Sequence, residues 1–285
     1  MSWAALEQAR RHDAASRLPF CIAGREVGSV ARADLALLAP HAQALQVGAD
    51  AVALTVAAAA RDAALATINQ ALRDQGRLPG WRDEIVTIVD PTSGQQLARG
   101  ERAAARFWGT LTLGAHATGY VAGADGRPAQ LWIARRSATK ATDPGMLDNL
   151  IGGGVPAGQS PAQTLVREGW EEAGLRPDQV GDARSGRVIA LRRDISEGLQ
   201  HEWLYTFDLE LPAGLQPLNQ DGEVATFELL PIEQALALAA DGAMTVDAAL
   251  VTLDFALRHR LLAPAPQHAL GQRLAALLVA PASGS

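Results

Sequence analysis

A single cysteine, Cys21, serves the whole chain of 285 residues. One cysteine excludes an intramolecular disulfide and any cysteine-rich zinc site; it is expected to pack as a small apolar residue. Long charged runs of one sign are also missing. Charged residues make up 20% of the chain and the formal net charge is -6, with no basic run, so nucleic acid is not an expected partner. No apolar stretch reaches the length needed to span a bilayer, and the longest, AVALTVAAAA, stops at Arg61. The opening MSWAALEQARRHDAASRLPF mixes acids and bases and has no apolar signal core. These absences make no membrane and a cytoplasmic location the expectations. They also mean that an anionic phosphate compound would need local basic groups or a metal ion to bind.

What is present is an ordinary globular composition, 48% hydrophobic with a mean hydropathy of +0.02. That is enough to bury full cores, and the length suits two domains. The pattern divides into an N-terminal α/β domain over 1–105, a second domain over 106–263 and a tail over 264–285. In the first part, residues 2–16 read as a short helix and PFCIAGREVGSV as a strand pair turning at Gly24. ARADLALLAPH reads as a short helix ended by Pro40, and ALQVGADAVALTV as strand-like. AAAARDAALATINQALRDQG is a periodic helix stopped at Gly76, and DEIVTIVD a strand ended by PTSG. No catalytic constellation is visible there.

In the second part, FWGTLTLGAHATGYV and AQLWIARRS are strands flanking the turn GADGRP. Strands SGRVIALRRD, HEWLYTFDLEL and GEVATFELLP follow, then the helices IEQALALAA and DAALVTLDFALRHRLL. Within the tail, HALGQRLAALLVA has the pattern of a small amphipathic helix, and the last residues are expected to lack structure.

The stretch GGGVPAGQSPAQTLVREGWEEAGL, Gly152 to Leu175, concentrates acids at Glu168, Glu171 and Glu172. Ser160 followed by Pro161 and Gln163 is a helix start with a capping box, while Gly174 and Pro177 mark its end. The spacing predicts a helix from Pro161 to Ala173. At about 100° per residue, Glu172 lies about 40° to one side of Glu168 and Glu171 about 60° to the other. The three carboxylates therefore share one face. Ala162, Val166, Trp170 and Ala173 fall opposite, as the side expected to pack on a sheet, with Gly169 at its margin. Arg167 stands beside Glu171 and can orient it. Gly169 costs roughly 1 kcal/mol of helix propensity, consistent with a close approach of the helix to the neighbouring backbone. A solvated acidic face is the ordinary alternative. Clustered hard oxygen ligands behind a Gly-rich loop suit Mg²⁺ or Mn²⁺ better than zinc.

This stretch resembles the signature of the Nudix hydrolases: Gly, five residues, Glu, seven residues, then Arg-Glu-U-x-Glu-Glu-x-Gly-U, with U bulky and apolar. Gly153, Arg167, Glu168, Glu171, Glu172, Gly174 and Leu175 match; Gln159 stands in place of the first Glu and Gly169 in place of the first U. The resemblance covers roughly Arg106 to Ala263. It implies an α/β/α sandwich with a mixed sheet, here preceded by a smaller α/β domain. The segments RRSATKATDPGMLDNLIGGG, FDLELP, NQDGEVATFELLP and ALVTLDFALRH look like a Nudix subfamily with an extra N-terminal domain, the thiamine-pyrophosphokinase-related Nudix proteins. Those are associated with hydrolysis of damaged or analogue thiamine diphosphates.

The resemblance implies that Glu168, Glu171 and Glu172 ligate the divalent ion and that Arg167 orients them. It implies a base among Glu171, Glu172 and a carboxylate from another loop, for which Glu223 is the candidate. Gly152 and Gly153 would form the tight entry to the metal loop. Gln159 keeps the shape of a glutamate, can accept from Arg167 and lacks the charge, so weaker metal affinity or an altered rate is expected rather than a dead site. Arg135, Arg136 and Lys140, just before the box, are candidates for the anionic substrate; a solvated strand end is the alternative. Glu202 is a weaker candidate for the same cleft. His116, His201 and His259 show no metal-ligand spacing, and Trp132, Trp203 and Phe207 are expected in the core.

The implied function is metal-dependent attack of water on a small-molecule diphosphate. One alternative is a catalytically weak ligand-binding module on the same fold. Another is chemistry like that of isopentenyl diphosphate isomerases, which KATDPGMLDN resembles; those enzymes use a cysteine soon after the Asn, whereas Asn149 is followed by Leu150, Ile151 and Gly152. The N-terminal domain is expected either to shape substrate choice or to mediate a homodimer.

Overall fold

The computed structural model describes residues 3–279. The chain opens with helix α1 (Ala4–Gln8), then the hairpin β1 (Arg17–Ile22) and β2 (Arg25–Ala31), whose turn places Gly24 at φ 74°. ARADLALLAPH is not an α-helix: Arg32–His41 winds in 3₁₀ turns with Pro40 inside. Pro40 has no N–H to give an α-helical ladder, which favours the short tight winding. Strands β3 (Leu45–Val47) and β4 (Val52–Leu54) complete a sheet in the order β2-β1-β4-β3, with β1 and β4 parallel.

Helix α2 (Arg61–Asp74) buries Leu65, Ile68 and Leu72 on one stripe, and Gly76 follows at φ 72°. Strand β5 (Ile85–Val89) pairs with β6 (Gln96–Glu101). Sequence pattern missed β6 because QLARGE contains one large apolar residue. Cys21, on β1, is half-buried rather than buried.

Phe107 and Trp108, expected to open a strand, lie in a short helix α3 (Ala105–Trp108) closed by Gly109 at φ 57°. Both belong to the N-terminal core. The Trp108 ring sits 4.5 Å from that of Phe20, and its indole N–H donates to Asn69 Oδ1 at 2.8 Å. The expected boundary between 105 and 106 therefore cuts through a helix of the first core.

The second domain runs β7 (Thr112–Ala122), β8 (Pro128–Arg136), β9 (Leu147–Asp148), β10 (Ile151–Gly154), α4 (Pro161–Ala173) and α5 (Pro177–Val180). It continues through β11 (Arg184–Ile195), β12 (Gly198–Glu210), β13 (Val224–Pro231), α6 (Ile232–Ala240), α7 (Val246–Arg258) and α8 (Pro264–Ala275). Its sheet follows β11-β12-β7-β8-β13, with β10 on β7 and β9 on β8; β7 and β12 run parallel and the other pairs antiparallel. Alternate residues feed two cores, as strand geometry requires. Leu131, Ile133 and Leu204 pack with α6 and α7, whereas Trp132, Phe207 and Leu209 pack with α4. The result is the expected α/β/α sandwich with a mixed sheet, preceded by a smaller α/β domain. Trp203 is only half-buried.

The two chain ends depart from the expected division. Trp3, Leu6 and Ala9 around α1, and Leu270 and Leu274 of α8, all join the core built on α7. Arg192 N donates to Ala9 O at 2.9 Å, and Ala190 N to Leu277 O at 2.7 Å, so both ends cover the outer edge of β11 and satisfy backbone groups an edge strand would leave open. The tail helix forms as predicted; the final residues expected to lack structure, 280–285, lie outside the described ones. Among the described residues no helix is long and apolar enough to cross a membrane.

Candidate active site

Helix α4 begins and ends where its capping residues predict. Ser160 Oγ accepts the Gln163 N–H at 3.2 Å, and Gln163 Oε1 accepts that of Ser160 at 2.8 Å. At the other end Gly174 takes φ 65°, with Gly174 N bonded to Trp170 O and Leu175 N to Gly169 O. Its rotation differs from the expectation. The inward side carries Leu165, Glu168, Gly169, Glu172 and Ala173, while Trp170 is 51% exposed and Ala162 is exposed. Two acids thus face inward, because the layer beneath is partly the glycine strand β10. Gly169 admits side chains rather than backbone: a Cβ there would stand 2.8 Å from Val180 Cγ2 and 3.3 Å from Ile151 Cδ1.

Each glycine of β10 makes room for one polar side chain. The strand lies antiparallel to β7, with Gly152 opposite His116, Gly153 opposite Ala115 and Gly154 opposite Gly114. A Cβ on Gly152 would come 2.9 Å from the His116 ring, one on Gly153 would fall on the Glu168 carboxyl, and one on Gly154 on the Arg102 guanidinium.

The acids are held by two cations. Arg167 donates from Nη2 to Glu168 Oε1 at 2.8 Å and from Nη1 to Glu171 Oε2 at 2.6 Å. Lys140, its side chain 7% exposed, places Nζ 3.0 Å from Glu172 Oε1 and 2.7 Å from Glu223 Oε2. Glu172 Oε2 accepts the Gly152 N–H at 2.9 Å. Burial, followed by the charge of Glu172, pushes the Glu168 carboxyl up to about 7. Burial also raises that of Glu172, against the pull of Lys140. Burial works to raise Glu223 too, but Lys140 and Arg82 outweigh it and hold its carboxyl below the usual range.

Among the described residues no three such side chains converge as a metal ion would require. Arg167 draws Glu168 and Glu171 to one side, and Lys140 draws Glu172 to the other. The donor set itself, buried carboxylates whose charge is disfavoured, fits a hard divalent cation.

All of these groups except Glu172, which lies beneath, line a cleft between the two domains. Its second-domain wall includes Arg136, Lys140, Arg167, Glu168, Glu171 and Glu223; its other wall includes Arg82, Glu84, Glu101 and Arg102. The N-terminal domain, in which sequence showed no catalytic constellation, therefore contributes directly. No local signal marks these residues, because only docking of the domains brings them here. Ala157 N, in the loop before α4, donates to Ile85 O at 2.8 Å, and Arg82 pairs with Glu223 across the gap.

Other expected residues fare unevenly. Arg135 does not line the cleft; it is exposed, bonding Gly145 O, because it alternates with Arg136 along β8. Arg136 lines the cleft, but its donors are spent on Asp148 Oδ2 (2.7 Å), Thr142 O (2.8 Å) and Asp143 O (3.2 Å), so it organises its loop. Gln159 is exposed outside the cleft and accepts from Thr164 Oγ1 at 3.2 Å, not from Arg167, both of whose terminal nitrogens serve the glutamates.

Glu202 lines an adjoining recess with Gln200 and Asp247, and this recess shares Arg102, Arg136, Gly152 and Gly153 with the cleft. Gln200 Nε2 donates to Glu202 Oε2 at 3.0 Å and to Asp247 Oδ2 at 3.0 Å. Burial and then the charge of Glu202 push Asp247 up to about 6. His116 also lines the recess, with Nδ1 3.3 Å from Asn149 Oδ1, whereas His259 pairs with Asp208 outside it.

Residues 113–250 match the model of the NUDIX domain, and residues 2–112 that of a domain of unknown function, DUF4743. Nudix hydrolase 20, chloroplastic, of Arabidopsis thaliana is 38% identical over 210 residues, covering 72% of this chain and 54% of that protein. Nudix hydrolase 24, chloroplastic, of the same plant is 36% identical over 205 residues, covering 72% and 56%. The chain thus spans little more than half the length of these relatives. The crystal structure of DR0079 from Deinococcus radiodurans aligns with 60% of this chain and 99% of that one, at 23% identity and a TM-score of 0.44.

Proposed function

The chain belongs to the Nudix superfamily, and from that premise we propose that it is a divalent-metal-dependent pyrophosphohydrolase acting on a small-molecule diphosphate. The observation that carries this reading is the inward pair Glu168 and Glu172, buried carboxylates on the signature helix whose charge the protein disfavours. Glu168, Glu171 and Glu172 would hold Mg²⁺ or Mn²⁺ once their carboxylates turn from Arg167 and Lys140 to a common point. When bound, such an ion supplies charge neutralisation at the diphosphate oxygens and a lowered pKa for adjacent water.

The chain's own residues do the rest. Arg167 fixes Glu168 and Glu171 relative to each other. Lys140 keeps Glu172 and Glu223 together, and on substrate entry is placed to meet a phosphate oxygen. A water oxygen bonds to one phosphorus, the bridging P–O bond breaks, and the second phosphate leaves with the bridging oxygen. The water proton goes to a cleft carboxylate. Glu171 is the base best supported, because Oε2 is held by Arg167 while Oε1 has no protein partner among the described residues. Both Glu172 oxygens are engaged, and Glu223 is clamped by two cations.

For the second moiety we propose thiamine diphosphate analogues, on the subfamily resemblance. The recess beside the cleft supports it, since Glu202 and Asp247 are acceptors for an amino-bearing or cationic heterocycle. A phosphate-release screen tests both levels, comparing thiamine diphosphate analogues, nucleotide sugars, dinucleotides and nucleoside triphosphates with Mg²⁺ and Mn²⁺. Preference for another class removes the thiamine proposal alone. No turnover of any class favours the binding-module reading, which the ion pair made by each of these carboxylates also fits.

A further inference from the structure

We propose that Arg102, from the N-terminal domain, is a substrate-positioning residue that grips the diphosphate above the glycine strand. This rests on the pyrophosphohydrolase reading for its ligand and gives the N-terminal domain a defined task.

Three observations converge on it. First, the guanidinium has an open edge. Nη1 donates to Glu84 Oε2 at 3.0 Å, while Nε and Nη2 have no protein partner among the described residues and are not sealed from solvent. The side chain is 37% exposed and lines the cleft. A guanidinium carries five donors in a planar fork matched to two phosphate oxygens. Arg136 and Arg167, the second domain's arginines in the cleft, have their donors committed to loop carbonyls and carboxylates.

Second, its position is that of a bridge. Arg102 lines both the cleft that holds Glu168 and Glu171 and the recess that holds Glu202 and Asp247. A diphosphate with its phosphates at the glutamates and its other moiety in the recess would lie along the residues that line both, among them Arg102, Arg106, Gly152 and Gly153.

Third, room has been left for it. Gly154 has no side chain where the guanidinium lies, and a Cβ there would overlap Cζ, Nε and Nη2. A purely structural pin between the domains does not account for the arrangement. The ion-pair partner, Glu84, belongs to the same domain as Arg102, and the domains are already tied by the Ala157–Ile85 hydrogen bond and by the Arg82–Glu223 and Arg106–Glu197 pairs, among other contacts.

The test uses the full chain with Mg²⁺ and a non-hydrolysable probe, imidodiphosphate, titrated by calorimetry. Arg102→Gln is expected to weaken binding about tenfold or more, the scale of a charge-assisted hydrogen bond, and Arg102→Lys to recover only part of it because an ammonium cannot present the fork. Gly154→Ala keeps the charge but displaces the fork, and should reproduce the loss. Mn²⁺ affinity without the probe should not weaken in Arg102→Gln, which separates this role from a metal-site defect. Wild-type affinity in Arg102→Gln, or full recovery by lysine, overturns the proposal, as does a wild-type chain that fails to bind imidodiphosphate. Binding with the expected losses, but no turnover of any diphosphate compound, leaves Arg102 as a ligand contact and removes the hydrolase reading alone.

Discussion

The carboxyl of Glu168 occupies the space where Gly153 lacks a side chain. The glycine strand and the acidic helix are thereby fitted to each other, and the bare backbone of β10 is a condition for an inward-facing glutamate on α4. Gly153→Ala should push Glu168 out of place, cutting Mn²⁺ affinity and kcat by about tenfold or more while the fold survives, since overpacking costs about 1–3 kcal/mol. Calorimetric Mn²⁺ titration beside circular dichroism checks it; unchanged metal affinity would remove Glu168 from the ligand set.

Lys140 is the cation that bridges Glu172 and Glu223. Replacing it by Met leaves Glu172, 4% exposed, without a counter-charge, a loss of about 3 kcal/mol by the usual cost of breaking a buried pair. A divalent ion at the same carboxylates would offset part of this. The melting temperature of Lys140→Met should therefore fall much further below wild type in chelator than in millimolar Mg²⁺. Equal falls in both would argue against an ion at Glu172.

Glu168 should cost the metal-free protein stability as pH rises through the weakly acidic range. Glu168 keeps its proton in the folded state up to about 7, against 4.5 for a free glutamate, mainly through burial. Between those values the folded chain binds more protons than the unfolded one. The contribution is therefore complete below pH 4.5 and lost by about pH 7, falling by about 1.4 kcal/mol for each pH unit in between. Glu172, raised in the same direction, adds to the slope. Chemical denaturation from pH 4.5 to 7.5 in chelator should show the decline, and Glu168→Gln should flatten it. His201, pushed down to about 4 mainly by burial, works against this slope over much of the same range. The diagnostic is therefore the difference between the two chains: identical profiles for wild type and Glu168→Gln would contradict the burial of Glu168.

Gln159→Glu should change Mg²⁺ affinity and turnover by less than about threefold. The residue is exposed, lies outside the cleft and bonds Thr164, so water screens an added charge there. Parallel kinetics and metal titration of the two forms decide it; a tenfold gain would mean that a carboxylate at 159 reaches the metal site.

Much of the fold was legible because it rests on local rules. The capping box at Ser160 and Gln163 and the left-handed Gly174 bound α4 correctly, since they act within a few residues. Alternation found β8, β11, β12 and β13, and period identified α2 and α7. Failures have equally physical causes. The strand Ile151–Gly154 carries no propensity signal and exists because β7 pairs with it. Phe107 and Trp108 look like strand residues but are claimed by the first core through Phe20 and Asn69.

The amino-acid sequence by itself determined which side chains belong to the acidic helix, where that helix starts and stops, and that Glu168, Glu171 and Glu172 leave it within one arc, because helical geometry converts spacing into direction. Tertiary structure decided which side faces inward, that Arg135 and Gln159 stand outside the cleft while Lys140 closes on Glu172, and that Arg82, Glu84 and Arg102 form the opposite wall. Those facts depend on contacts between residues far apart in the chain, made only when β10 pairs with β7 and the N-terminal domain docks against the loop before α4.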